Sequence, residues 1–233
     1  MAVKINFDTY LFISSQKISI HVHEKQSLEK LYYEELINTD IKKKFNIEHI
    51  NFFLEKNIFA IEKNLKNFVE NINLILESDN FFTIQLSIKQ NNYGELITKE
   101  KVIHLLNETR DECRKTINNN KITHMVIDNY LADKINYQTL PKDLKCELFS
   151  IDVRFICLSS KYVNDLENVL KKYQISINRI LQADYIKSFL KNNHENLFTM
   201  CSKMIDGHNE NEVVIIPKIS RKKGFFERFF DFF

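Results

Sequence analysis

The stretch LFSIDVRFICLSSKYVNDLENVLKKYQISINRILQADYIKSFL, Leu148 to Leu190, changes its apolar period three times. Alternating apolar residues over Leu148–Ser160 are typical of a strand. Apolar residues then recur at steps of three and four over 163–170, which predicts a helix. Ile175–Ala183 predicts a second strand, and Asp184 is a candidate N-cap for another helix. The stretch therefore predicts strand, helix, strand and helix in succession, which indicates a mixed α and β class.

The flanking sequence extends this alternation in both directions. Thr9–Glu24 predicts two strands or a tight hairpin with SSQK as its turn, and Lys30–Ile37 predicts a third, edge strand. Leu197–Ile205 predicts a last helix, which Gly207 ends. Apolar spacing of three and four between Ile47 and Leu76 predicts a long helix. Its apolar stripe is Ile58, Ile61, Leu65, Phe68, Ile72 and Ile75.

Residues 81–160 predict a strand–helix–strand–strand unit inserted into the rest of the chain. Its first strand is Phe81–Gln90, and Thr98 is a candidate N-cap for its helix. The two later strands are Ile122–Asp133 and Leu148–Ser160, joined by a polar loop with Pro141. We expect this unit to form a small subdomain, so the fold class predicted for the chain is mixed α+β.

Composition narrows the class of protein. Apolar residues make up 44% of the 233 residues and charged residues 27%, which is a normal globular balance. The formal net charge of +2 gives no reason to expect a nucleic-acid-binding protein. The four cysteines are far apart and form no CxxC pair, which favours a reduced cytosolic protein with buried thiols. No run of 18 apolar residues is present, so no membrane-spanning helix is expected.

Candidate catalytic and metal-binding residues all have simpler explanations. His21 and His23 have the spacing of two metal ligands on one strand face, yet a pair of histidines on a solvent-facing strand explains them as well. Asp128 with Asp133 suggests an acid–base pair, but surface charge accounts for it. The same holds for Asp111 with Glu112, and core packing accounts for Cys157. Because no GxSxG, HExxH or phosphate-binding glycine motif occurs, we expect no enzyme activity, no metal and no cofactor.

The last thirteen residues, RKKGFFERFFDFF, differ from the rest of the sequence. On a helix of 100° per residue the six phenylalanines occupy one arc of roughly 160°. Glu227, Arg228 and Asp231 fall on the opposite arc. A basic stretch precedes the helix, and Gly224 separates the two. The predicted membrane-binding residues are Lys218, Arg221, Lys222, Lys223, Phe225, Phe226, Phe229, Phe230, Phe232 and Phe233.

Two hypotheses explain this segment. A basic stretch followed by a short amphipathic helix is typical of a helix lying in the plane of a membrane surface. Alternatively, the phenylalanine face docks into a groove of a protein partner or onto the chain's own body. We prefer the membrane because the basic residues and the glycine hinge stand directly before the helix.

The order of these elements resembles the FtsA family, the actin-like cell-division proteins that tether the FtsZ ring to the membrane. ITKEKVIHLLNETRDECRKT, from Ile97, resembles the helix of the family's inserted 1C subdomain, and KITHMVIDNYLAD resembles its following strand. The stretch from Leu148 to Leu190 resembles the family's next strand–helix–strand–helix. YLFISSQKISIHVHE, from Tyr10, occupies the place of the family's first phosphate loop. The resemblance follows the element order over most of the chain and implies a truncated actin-like fold.

Departures from the family pattern bear on nucleotide binding. Ile13, Ser14, Ser15 and Gln16 stand where the family has the aspartate and glycines of its first phosphate loop. The second phosphate motif, of the type DIGGGTTD, is absent after Leu190. We therefore expect subdomains 2A and 2B to be missing and ATP not to bind, although transfer of the whole family's properties suggests an ATP-binding actin-like protein. The family's main FtsZ-binding surface lies in 2B, so contact with FtsZ does not follow from the resemblance.

The resemblance implies a division of the chain and a role. Residues 1–80 and 161–207 correspond to subdomain 1A, residues 81–160 to 1C (SHS2-like), 208–223 to a linker and 224–233 to the membrane-targeting helix. The predicted role is that of a non-catalytic peripheral tether on the cytoplasmic face of the cell membrane. Its expected partners are inner-membrane anionic lipids and division proteins, with self-association through the 1C-like module.

Overall fold

The computed structural model of the chain describes residues 6–39, 45–191 and 196–214. The strands are β1 (Phe7–Ile13), β2 (Lys17–Glu24), β3 (Lys30–Ile37), β4 (Asn71–Leu76), β5 (Phe81–Asn91), β6 (Asn120–Ala132), β7 (Ile135–Tyr137), β8 (Leu148–Ser159) and β9 (Ser176–Gln182). The helices are α1 (Ile47–Leu65), α2 (Lys99–Thr116), α3 (Ser160–Lys171), α4 (Ala183–Lys187) and α5 (Leu197–Ile205). The predicted mixed α+β class is confirmed.

The first sheet has five strands in the order β3-β2-β1-β4-β9. The pairs β1–β2 and β2–β3 are antiparallel, whereas β4 runs parallel to both β1 and β9. One face carries aliphatic residues such as Leu11, Ile20 and Leu74, which pack with residues of α1 and α3 in one buried cluster. The opposite face contributes Tyr10 and Phe12 to a second cluster that includes residues of α4 and α5.

The predicted helix between Ile47 and Leu76 is wrong over its last part. α1 begins after the N-cap Asn46, whose side chain accepts from the His49 amide, and ends before Lys66, which takes a left-handed conformation with φ 52°. Ile72 and Ile75 belong instead to β4, in which five of six residues are buried. A strand that is buried on both faces shows no alternation of apolar and polar residues. The apolar residues of β4 therefore fitted the three- and four-residue spacing of a helix.

The second sheet has the order β5-β8-β6-β7, and all its pairs are antiparallel. α2 begins at the predicted N-cap, where the Thr98 hydroxyl accepts from the Lys101 amide. The buried side chains Leu105 and Cys113 of α2 share a core with Phe155 of β8. The predicted strand–helix–strand–strand order is present, with the short β7 added. The division into 1A-like and 1C-like subdomains stays a prediction.

A third buried cluster joins the two sheets. Val126 and Ile156 of the second sheet pack with Tyr10 and Ile75 of the first and with Met200 of α5. All four cysteines are buried and free, as predicted. Among the described helices, none combines the length and the hydropathy that crossing a bilayer requires.

Candidate functional site

The ten residues predicted to bind a membrane lie outside the described residues. The structure does describe the segment that leads into them. α5 is followed by Gly207, which has φ 89°, and the chain then turns back toward β6. In this turn the side-chain oxygen of Asn209 accepts from the Asn211 amide at 3.1 Å. The backbone carbonyl of Asn209 accepts from the Glu212 amide at 3.0 Å.

Residues 209–213, which we call the C-terminal clasp, lie along β6. The Ile127 amide donates to the Asn211 carbonyl at 2.9 Å, and the Val213 amide donates to the Met125 carbonyl at 2.8 Å. Glu212 thereby faces Val126 in an antiparallel bridge. The predicted linker, residues 208–223, thus begins with a segment that is bonded to the second sheet.

Glu212 is the centre of a buried polar cluster. Its side chain is 5% exposed and that of His124 is 0% exposed. Nδ1 of His124 lies 2.8 Å from Oε1 of Glu212, and the Tyr185 hydroxyl donates to Oε2 at 3.0 Å. The Arg179 guanidinium lies 3.4 Å from Oε1, and Asn209 donates to the Tyr185 oxygen at 2.9 Å. The cluster joins the clasp to β6, β9 and α4.

The hydrogen bonds of this cluster show which of its side-chain atoms carry protons. The Gln182 amide donates to Nε2 of His124 at 3.0 Å, so in the neutral ring Nδ1 carries the proton and donates to Glu212. Burial raises the pKa of Glu212, but His124, Tyr185 and Arg179 outweigh it and leave that pKa below its ordinary value. Burial and the charge of Glu212 raise the pKa of Tyr185. Glu212 is therefore a charged acceptor held by protonated donors, an arrangement suited to holding a segment in place.

The clasp ends beside a small cleft of about 210 Å³, which Val213 and Val214 help to line. Lys121 and Arg179 are also in its wall. The ammonium group of Lys121 contacts Glu167 of α3 at 2.7 Å. The last described residue, Val214, is therefore held on the side of the fold that is close to α3.

The β1–β2 turn contains Ser14–Gln16, the stretch that the sequence resemblance places at a phosphate loop. The Ser14 amide donates to the Lys17 carbonyl at 2.8 Å, and the Lys17 amide donates to the Ser14 hydroxyl at 2.9 Å. The Gln16 amide also donates to this hydroxyl, at 3.3 Å. Three of the four amides from Ser14 to Lys17 are thus bonded within the turn. A phosphate loop instead directs such amides at its ligand.

His21 and His23 share a face of the first sheet, as their spacing indicates, but they are buried there. They are 6% and 2% exposed, so the solvent-facing explanation is wrong. The His21 ring stacks on Phe198 with centroids 4.5 Å apart, and the His23 ring stacks on Tyr10 at 5.1 Å. In the described parts of the chain no three residues of metal-ligating type come together. The His21 ring therefore packs against α5, and the His23 ring packs against Tyr10 of β1.

Burial of His21 predicts loss of stability in acid. Burial first, and then the neighbouring His23 and Lys30, lower its pKa to about 4. As pH falls below about 6.5, the unfolded chain protonates at this position while the folded chain does not, so stability is lost between about pH 6.5 and 4. We expect the wild type to lose on the order of 1–3 kcal/mol more than His21→Phe across this range in urea unfolding.

The control for this titration is His104→Phe, because His104 lies on α2 with its side chain 68% exposed. This variant should lose stability in acid as the wild type does. An equal acid loss in the wild type and His21→Phe would show that His21 does not contribute to the pH dependence.

The other candidate residues are engaged in structural contacts. Asp128 pairs with Arg154, whose Nε and NH2 atoms lie 2.9–3.2 Å from its carboxylate. Asp133 accepts from the Leu148 amide at 2.9 Å. Burial raises the pKa of Cys157 to about 12, which agrees with the predicted core role. Asp111 and Glu112 pair with neighbours on α2. These contacts give no acid–base pair and no activated thiol at these positions.

Comparison with known proteins gives only distant structural likenesses. No protein-family model and no curated protein matches the chain. Three solved structures are similar to about four fifths of it. One is the cytoplasmic domain of EpsL, an inner-membrane component of the type II secretion system of Vibrio cholerae, with 13% sequence identity and a TM-score of 0.37. The match covers 81% of this chain and 60% of that domain.

The other two are a PilM–PilN type IV pilus biogenesis complex and a Bacteroides thetaiotaomicron protein with an actin-like ATPase fold. Their identities are 9% and 14%, their TM-scores are 0.42 and 0.32, and the matches cover 80% of this chain. This chain covers 49% and 56% of their lengths. This chain therefore spans about half to three fifths of the length of the three structures.

Proposed function

We propose that the protein is a non-catalytic, FtsA-like adaptor that binds the cytoplasmic face of the cell membrane through residues 224–233. The observation that carries this proposal is the separation of six phenylalanines from the three charged residues on the two arcs of a helix, after a basic stretch. The C-terminal clasp supports it, because a tether requires a firm connection between its anchor and its body.

The β1–β2 turn supports a role without nucleotide chemistry. Its amides are bonded to Ser14 and Lys17, and Ser14–Gln16 replace the glycines that let a backbone approach phosphate. An adaptor acts through contacts alone, so it does not require an ATP site. Division or cytoskeletal proteins, recruited through residues 81–160, are the partners that the FtsA resemblance favours.

The energy available to the anchor suits reversible binding. Full burial of one phenylalanine contributes about 1.5–3 kcal/mol, and each basic residue near an anionic surface adds about 1 kcal/mol. Ordering the residues of a short helix costs about 1–2 kcal/mol each, which offsets a large part of this. A single anchor therefore binds weakly, and self-association would strengthen it by avidity.

Removing the anchor tests the proposed function. In co-sedimentation with vesicles of phosphatidylglycerol and phosphatidylethanolamine, we expect a chain ending at Lys223 to bind at least about tenfold more weakly than the full chain. Phe225→Ser/Phe229→Ser should weaken binding in the same direction, because it removes two rings from the apolar arc.

The matched control is Glu227→Ser/Asp231→Ser, which changes two residues of the polar arc and should preserve binding. Equal sedimentation of the full and shortened chains, or none by either, would refute the membrane anchor. Saturable one-to-one binding of a 224–233 peptide to a protein, independent of lipid charge, would favour the groove hypothesis instead.

A further inference from the structure

The outer surface of α1 carries two exposed aromatic rings. Phe52 and Phe59 are 67% and 71% exposed, while Phe53, between them in sequence, is 5% exposed and packs in the core. Since Phe52 and Phe59 are seven residues apart, they lie on one stripe of the helix. Exposed phenylalanines that are scattered singly need no explanation, but two on one stripe form a local apolar surface.

Exposed lysines lie on the same side of α1 as these two rings. Lys56 and Lys63 are exposed on the same side of α1, and with Phe52 and Phe59 they fall within an arc of roughly 60° at 100° per residue. α3 ends with the exposed Lys171, and the exposed Lys172 follows it as the C-cap residue. We call Phe52, Lys56, Phe59, Lys63, Lys171 and Lys172 the α1 patch.

Contacts of the residues that follow α3 bring Lys172 close to Asn51, the neighbour of Phe52 in α1. The ammonium group of Lys172 donates to the side chain of Asn51 at 3.1 Å, and the Tyr173 hydroxyl donates to the Asn51 carbonyl at 3.2 Å. Two exposed carboxylates of α1, Glu48 and Glu55, lie within one turn of Phe52, and Glu62 is turned back to accept from the Val69 amide at 3.1 Å. The four lysines of the patch outnumber these two exposed carboxylates, so the surface keeps a net positive charge.

The last described residue, Val214, lies on the side of the fold that is close to α3. Val214 and Lys121 line the same cleft, and Lys121 contacts Glu167, which is one helical turn before Lys171. The eleven residue steps from Val214 to Phe225 span at most roughly 35–40 Å when extended. Because a small domain is about 30 Å across, a linker of this reach would allow the C-terminal anchor and the α1 patch to meet one surface.

We propose that the α1 patch is a second contact with an anionic lipid surface, in which Phe52 and Phe59 enter the headgroup region and the lysines contact lipid phosphates. The inference rests on the proposed function, since it adds a contact to the same membrane. Protein interfaces are depleted in lysine, whereas helices at membrane surfaces combine phenylalanine with lysine. The two contacts together fix the orientation of the body on the membrane.

The absence of tryptophan from the sequence allows a direct test. Phe52→Trp and Phe59→Trp each introduce a single fluorescent reporter into the full chain. With phosphatidylglycerol-containing vesicles we expect a blue shift of the emission, and quenching by brominated acyl chains. Ile103→Trp is the matched control, because Ile103 is 57% exposed on α2, in the other sheet's unit, and its emission should not change.

Binding measurements separate this inference from the proposed function. Phe52→Ser/Phe59→Ser should reduce vesicle binding of the full chain about tenfold, whereas Ile103→Ser should not reduce it. Because both rings are mostly exposed, circular dichroism should show an unchanged fold. If the double variant binds vesicles normally and the emission of Phe52→Trp and Phe59→Trp does not change, the proposed role of the α1 patch is wrong, while the proposed anchor is unaffected. Loss of binding in the double variant, with no effect of ending the chain at Lys223, would support the patch and overturn the proposed anchor.

Discussion

Replacing Glu212 with alanine is expected to lower the free energy of unfolding by about 3–5 kcal/mol, because the buried His124 and Tyr185 donors lose their acceptor at about 1–3 kcal/mol each. The change leaves His124 and Arg179 without their carboxylate and the Tyr185 hydroxyl without its acceptor. Urea unfolding measures the loss. Hydrogen exchange locates it, because the Ile127 and Val213 amides should exchange faster when the clasp detaches.

Glu210→Ala is the matched control, since Glu210 is exposed two residues earlier in the same segment. It should change stability by less than about 0.5 kcal/mol. The isosteric Glu212→Gln should lie between the two, because its amide oxygen can still accept one of the hydrogen bonds. If Glu212→Ala unfolds like Glu210→Ala, the cluster does not hold the clasp.

Phe155→Ala is expected to be about as damaging, at about 3–5 kcal/mol, because it opens a cavity in the second sheet's core. Phe155 is 0% exposed in the central part of β8, where it faces Ile84 of β5 and Met125 of β6. The aromatic ring therefore packs between both neighbouring strands. Chemical unfolding monitored by far-ultraviolet circular dichroism measures the loss.

Phe82→Ala on the adjacent β5 provides the comparison, since Phe82 is 38% exposed. Its loss should be clearly smaller, because solvent already reaches the ring and fills the space that the ring leaves. Equal losses at both positions would mean that the core of the second sheet relaxes around Phe155→Ala.

Elements marked by a polar turn, a helix cap or an exposed face were the predictable part of the fold. The hairpin of β1 and β2 has a polar turn at SSQK, and β3 was predicted with the bounds that it has. α2 has a buried stripe with Val102 and Leu105, and its N-cap hydroxyl acts as predicted. In these cases the local pattern and the burial required by the tertiary structure agree.

The remaining fold depended on long-range contacts. β4 lies between β1 and β9, so tertiary burial replaced the alternation that identifies a strand. The clasp depends on His124, Tyr185 and Glu212, which are up to 88 residues apart. In the sequence, only the apolar pair Val213 and Val214 indicated that the predicted linker begins with a segment bound to the fold. The α1 patch was hidden for another reason, since Phe52 and Phe53 are adjacent and periodicity alone does not show which one is exposed.

The clasp bears on how the proposed tether would carry mechanical load. If the C-terminal segment is bound to a membrane as proposed, a force on it would enter the body at Val214 and pass first to the bonds of Ile127 and Val213 on β6. The Glu212 cluster would then distribute the force to β9 and α4, and so to both sheets. Such an attachment would yield as one unit at a threshold force.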